Sequence, residues 1–165
     1  MLIHEKAYFL SISPIVGLFC FIQRICSGSN KELNQDKNSY YFFKVMNTDF
    51  EATIVRVKES LKEQGFGVVS EINMQQKLTQ ATGKEMDPYI IIGACNPKGA
   101  YEALQIDAHI GLMLPCNVIV RDLGNNRVEV AAINPVKTMS SLKNKKMNVL
   151  ATEIASKLQL VIANL

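Results

Sequence analysis

The sequence predicts an α+β domain, a mainly antiparallel sheet with helices packed on one face, in the order β-α-β-β-α-β-β-α. Three observations lead there. Apolar spacing switches between period two and period 3.6 along the chain. A turn signal, Asp122–Asn126 (DLGNN), joins two strand-like runs as a hairpin. Too few strands alternate with helices for a parallel, doubly wound sheet. The chain has 165 residues and 48% hydrophobic content, enough for one core and a short extension.

The elements follow in order. Tyr40–Met46 (YYFFKVM) is aromatic and β-branched and reads as the first strand. Thr48-Asp49-Phe50-Glu51 has the form of a capping box, in which the Thr hydroxyl and the Glu carboxylate satisfy orphan amides at a helix start. The helix runs to about Gln64 and buries Phe50, Ile54, Val57 and Leu61. Gly65 stops it, because glycine takes the left-handed conformation there. Phe66–Met74 alternates, with Phe66, Val68, Ile72 and Met74 on one face, and reads as a half-buried strand. Gln75–Pro88 is irregular or a short helix. Tyr89–Ala94 is an apolar run that suits a buried strand.

Asn96 caps the next helix and Pro97 begins it, the position where the missing proline N–H costs nothing. Ala100, Ala103 and Leu104 form its inner face. Ile110–Arg121 reads as one long strand with Leu112, Leu114, Cys116, Val118 and Val120 on one side. The hairpin returns as Arg127–Ile133. Met147, Leu150, Ile154, Leu158 and Val161 mark the last helix by their spacing.

Three segments divide the chain. Residues 7–22 (AYFLSISPIVGLFCFI) carry no charge, with Lys6 before them and Arg24 after. A spanning helix needs about 20 apolar residues, so this shorter run suits the apolar part of a signal peptide. Residues 1–28 are therefore expected to be a signal peptide or a membrane anchor. Cys26-Ser27-Gly28 resembles a lipoprotein start, but Gln23-Arg24-Ile25 departs from the small residues such a site uses. Residues 29–39 form a polar linker and residues 40–165 the domain. The expected location is exported or membrane-anchored, in periplasm or cell envelope, with possible tethering through residues 7–22; the alternative is cytoplasmic. A net charge of +3 gives no reason to expect nucleic acid or an anionic surface as partner.

The chemistry centres on two similar segments, Gly93-Ala94-Cys95-Asn96-Pro97 and Leu114-Pro115-Cys116-Asn117-Val118. Cys95 sits at a helix start, where free amides and the helix dipole favour a thiolate; its plainer role is a small apolar residue ending a buried strand. Cys116 falls in the core by periodicity. Pro115 requires an edge or a bulge. A metal site built from Cys95, Cys116 and His109 lacks a fourth ligand, and a Cys–His pair lacks an orienting group. Lys137, Lys143, Lys145 and Lys146 read as a solvated edge. There is no glycine-rich phosphate loop and no paired-carboxylate arrangement. The binding residues expected from the two segments are Cys95, Asn96, Cys116 and Asn117. No catalytic residue, metal or cofactor is assigned.

Glu63-Gln64-Gly65-Phe66-Gly67-Val68, the segment at 93–97 and Ile110–Val118 together resemble the domain-of-unknown-function family 302. The likeness covers about residues 40–140. It implies a compact α+β domain similar to the TATA-binding-protein-like fold and a homodimer, and it implies no activity. The expectation is a non-catalytic, dimeric domain that binds a small ligand or a protein partner, with a thiol-dependent redox or thiol-transfer protein using Cys95 and Cys116 as the alternative and a metal carrier as a weaker one.

Overall fold

The computed structural model describes residues 39–165. The expected leader and all of the linker except Ser39 lie outside the described residues. The elements are β1 (Tyr41–Asn47), α1 (Phe50–Glu63), β2 (Gly67–Asn73), α2 (Met74–Thr82), β3 (Tyr89–Cys95), α3 (Pro97–Ile106), β4 (Cys116–Asp122), β5 (Arg127–Ile133), the short α4 (Pro135–Thr138) and α5 (Lys145–Ala163). Tight 3₁₀ turns occupy Ala108–Met113 and Ser140–Leu142. The strands form one antiparallel sheet in the order β1-β5-β4-β3-β2.

The α+β class, the antiparallel sheet and the long helices on one face are as predicted. Strand alternation divides the sheet cleanly. Phe42, Ala132, Val118 and Ile92 register across four strands on the helix side, and all four are buried. Against them α1 brings Ile54, Val57 and Leu61, and α5 brings Leu158, Val161 and Ile162. Polar ties fix the layers: Ser60 Oγ donates to the Val161 carbonyl at 3.2 Å, and Lys44 Nζ donates to the Ala163 carbonyl at 3.0 Å. Lys58 pairs with Glu71 at 2.6 Å, joining α1 to the edge strand β2.

Local chemistry explains the helix ends. Asp49, not Thr48, caps α1; its carboxylate accepts from the Ala52 amide at 2.9 Å. The acceptor three residues before that amide is the Asp, so the Thr-Glu box never forms. Gly65 ends α1 at φ +78°, and Gly83 ends α2 at φ +68°, both in the left-handed region that glycine tolerates. The Asp122–Asn126 turn is built from Gly124, Asn125 and Asn126 at positive φ, closed by a Leu123 N–H to Arg127 carbonyl bond of 2.8 Å.

Four expectations need correction. The long strand from Ile110 is not one strand. Ala108–Met113 coils into a 3₁₀ turn, Leu114–Pro115 is a cis peptide, and pairing starts at Cys116. Proline offers no amide to the ladder, and Leu112, placed in the core by alternation, is 89% exposed. The strand after Gly65 is shorter than expected and its alternation breaks: a bulge between Val68 and Ser70 shifts the register, so Phe66 is buried while Val68 and Val69 are exposed. Met74, expected at the strand end, opens α2 instead, with the Asn73 side chain capping at 2.8 Å. The inner face of α3 is Gly99 and Ala103; Leu104 is exposed.

Candidate functional site

The four residues singled out from the sequence do not form one site. Cys95, Asn96 and Cys116 line a narrow cleft between the ends of β3 and β4, α3 and α5, walled by Leu114, Met139 and Met147. Asn117 follows Cys116 by one residue and so turns to the opposite face of the sheet.

The cleft is built as the Asn-Pro pair predicts. Asn96 Oδ1 accepts from the Gly99 amide at 2.9 Å, and Asn96 Nδ2 donates to the Gly65 carbonyl at 3.0 Å. One side chain thus caps α3 and holds the terminus of α1. Gly99 permits close approach of α3 to α5: a Cβ there would meet Ile154 Cδ1 at 2.8 Å. The enclosed space is only about 30 Å³, far below the roughly 150 Å³ that admits a benzene-sized guest.

The two thiols differ in character. Cys95 is half-buried; Cys116 is buried. Burial pushes the Cys116 thiol up to about 11, and the neighbouring Cys95 adds to the rise. Cys116 is therefore a neutral, apolar occupant at pH 7 and a poor nucleophile. His109 lies in the 3₁₀ turn with an exposed side chain, its Nδ1 3.3 Å from the Asp107 carboxylate, and it does not line the cleft. Among the described residues, no three His, Cys, Asp or Glu side chains gather as metal ligands.

The other face of the sheet holds a second, larger hollow of about 380 Å³, lined by Tyr40, Tyr41, Tyr89, Asn117, Ile119, Arg121, Glu129 and Ile133 among others. That volume falls in the roughly 300–1,000 Å³ of small-molecule sites. Three rows of side chains make this face. The first is Tyr41, Ile133, Asn117, Gly93 and Ser70; the second is Phe43, Ala131, Ile119, Ile91 and Ile72; the third is Val45, Glu129, Arg121 and Tyr89. The middle row crosses all five strands without a polar side chain. In the third row Arg121 holds Glu129 with two hydrogen bonds, 2.9 and 3.1 Å. This bond holds the Arg121 guanidinium above its ordinary range, while burial raises the Tyr89 phenol against the opposing pull of Arg121.

Of this face, sequence reasoning found only Asn117. The Arg121–Glu129 pair was not within reach, since the register centres on Asn125 and not on Gly124, the middle of the Asp122–Asn126 turn. Neither were the rows, because they depend on β1 joining β5 and β2 joining β3.

A five-stranded antiparallel sheet, with α1 and α5 against one face and the row Phe43–Ala131–Ile119–Ile91–Ile72 on the other, defines a small α+β domain. The chain belongs to the DUF302 family, a domain of unknown function, over residues 42–165. It is similar to a solved structure, an uncharacterized conserved DUF302 protein from Bacillus stearothermophilus, at 26% identity and a TM-score of 0.69, covering 75% of this chain and 96% of that one. No curated protein matches the chain.

Proposed function

We propose that this chain is a non-catalytic, dimeric binding domain whose working surface is the face of the sheet opposite α1 and α5. The observation that carries the reading is the middle row Phe43–Ala131–Ile119–Ile91–Ile72, apolar across the whole sheet. An antiparallel sheet facing water on one side alternates apolar and polar side chains; here Phe43, Ile119, Ile91 and Ile72 are half-buried and Ala131 buried, an apolar row that offers partial surface to a ligand or partner. The cleft at Cys95 is too narrow for an organic ligand as it stands, which favours the sheet face over the thiols. Export or tethering through residues 7–22 belongs to the same reading and rests on the sequence of that run. Among the described residues no helix is long and apolar enough to cross a membrane.

The test uses the full chain at low concentration with anilinonaphthalene sulfonate, a dye that brightens on apolar surface. Wild type should bind it and Ile119→Arg should not, while Cys95→Ser leaves binding unchanged. Equal dye binding by wild type and Ile119→Arg, or turnover of a broad substrate panel, would overturn the reading.

A second reading, thiol transfer through Cys95, draws on its half-buried position before the α3 N-terminus. Thiol titration of the folded chain tests it: reaction only upon denaturation removes it.

A further inference from the structure

We infer that the cleft between β3, β4, α3 and α5 is a soft-metal site, holding one cuprous ion among the four sulfurs of Cys95, Cys116, Met139 and Met147. It lies apart from the sheet face opposite α1 and α5 and does not depend on what that face binds.

Three observations point to it. The first is the chemistry of the lining. Besides the four sulfurs, the only side-chain heteroatoms in the cleft are those of Asn96. Both are engaged: Oδ1 accepts from the Gly99 amide and Nδ2 donates to the Gly65 carbonyl. Every other lining side chain is hydrocarbon. A ligand that needs side-chain oxygen or nitrogen finds none free there. A ligand that prefers sulfur finds four.

The second is convergence. The sulfurs come from four places in the chain: the end of β3, the start of β4, the residue after α4 and the first turn of α5. Cys116 lies opposite Ala94 across the ladder, so Cys95 is its diagonal neighbour. Both cysteines of the described residues therefore open on this cleft, and both are free. Cys116, Met139 and Met147 are buried, while Cys95 is half-buried and stands at the way in.

The third is size. The enclosed space is about 30 Å³, and a single water needs roughly 10–15 Å³ on that measure. The cleft takes an ion and excludes an organic molecule.

Thiolate and thioether sulfurs together select copper in its reduced state. Zinc takes thiolate, imidazole and carboxylate and has no use for thioethers; oxidised copper favours tetragonal nitrogen and oxygen. The site also differs from the cysteine–histidine set weighed from the sequence, since two methionines stand in the cleft and His109 does not. On loading, Cys95 and Cys116 each give a proton to solvent. Each sulfur gives an electron pair to the ion, which stays cuprous throughout. The complex then carries one net negative charge, beside the positive N-terminal end of α3 that begins at Pro97.

Anaerobic competition with the cuprous chelator bicinchoninate tests the inference on the full chain. Wild type should withdraw one copper per chain from the chelate, and excess zinc should not displace it. Cys95→Ser should withdraw none. Met139→Leu and Met147→Leu, which keep core volume, should each bind at least about tenfold more weakly, the lower end of what losing even an outer partner of a metal costs. Cys20→Ser combined with Cys26→Ser should bind like wild type, because the four sulfurs suffice. Circular dichroism checks that each variant is folded. A wild type that leaves all copper with the chelate overturns the inference. So does a folded Met139→Leu/Met147→Leu double variant that binds as tightly as wild type, or copper held equally well by Cys95→Ser. None of these outcomes bears on dye binding by the sheet face, so the two readings stand or fall separately.

Discussion

Asn96 joins two helix ends, so its removal separates two effects that are usually confounded. Its Oδ1 accepts from the Gly99 amide and caps α3; its Nδ2 donates to the Gly65 carbonyl and satisfies the terminus of α1. Losing an Asn cap to Ala costs about 1 kcal/mol. Losing the second hydrogen bond adds about 1 kcal/mol, by the usual net value of an intramolecular bond. Asn96→Ala should therefore lower stability by about 2 kcal/mol. Asn96→Asp keeps the acceptor and gains from the helix dipole, but places a carboxylate against the Gly65 carbonyl. It should lose only about half as much. Urea unfolding at pH 7 followed by circular dichroism reads both, provided the slopes of the transitions agree. Equal losses in the two variants would show that the cap contributes nothing. A loss below about 0.5 kcal/mol in Asn96→Ala would show that neither bond matters. Labelling of Cys95 in the Ala variant extends the test: a changed rate means the adjacent amides shape the thiol.

Leu61 is fully buried where α1 meets the sheet, so Leu61→Ala should cost about 2–5 kcal/mol in the same assay, and a loss under about 0.5 kcal/mol would refute its placement. Gly93→Ala should cost about 1–3 kcal/mol, because the added methyl would collide with Ser70 Oγ and lie 2.7 Å from Pro115 Cγ; the serine can rotate but the proline ring cannot, and a neutral result would mean the strands separate freely there. Cys116 should make stability fall between about pH 9 and 11: its folded value of about 11 lies above the ordinary 9, so the unfolded chain loses its proton first and gains as pH rises. The loss should approach about 3 kcal/mol, at about 1.4 kcal/mol per unit, and it should be read as the difference from Cys116→Ala, so that lysines and tyrosines cancel; parallel pH curves for the two proteins would refute it.

What was legible in the sequence was local. Arg127–Ile133 and the buried stripe of α5 were read correctly because a Gly-Asn-Asn turn and a regular helical spacing are written within a few residues. Asn96-Pro97 announced α3 through the chemistry of its first turn. The break before Cys116 was hidden for the opposite reason. Ile110, Leu112 and Leu114 mimic strand alternation, and only the missing amide of Pro115 argues against it. Helix capping at Asp49 was misassigned because Thr48 satisfies the same pattern one residue early.

The two hollows show the same division. Cys95, Asn96 and Cys116 were found together because they follow from strand ends and a cap. Tyr41, Ile119 and Tyr89 were missed because strands far apart in the chain bring them into one face. Yet one local signal for that face was present. Tyr89–Ala94 was read as a buried strand, and the fold buries Ile90, Ile92 and Ala94 on one side while Ile91 is half-buried on the other. Ile91 and Ile119 face each other in the middle row and are both half-buried, so the apolar run of β3 supplies that face as well as the core.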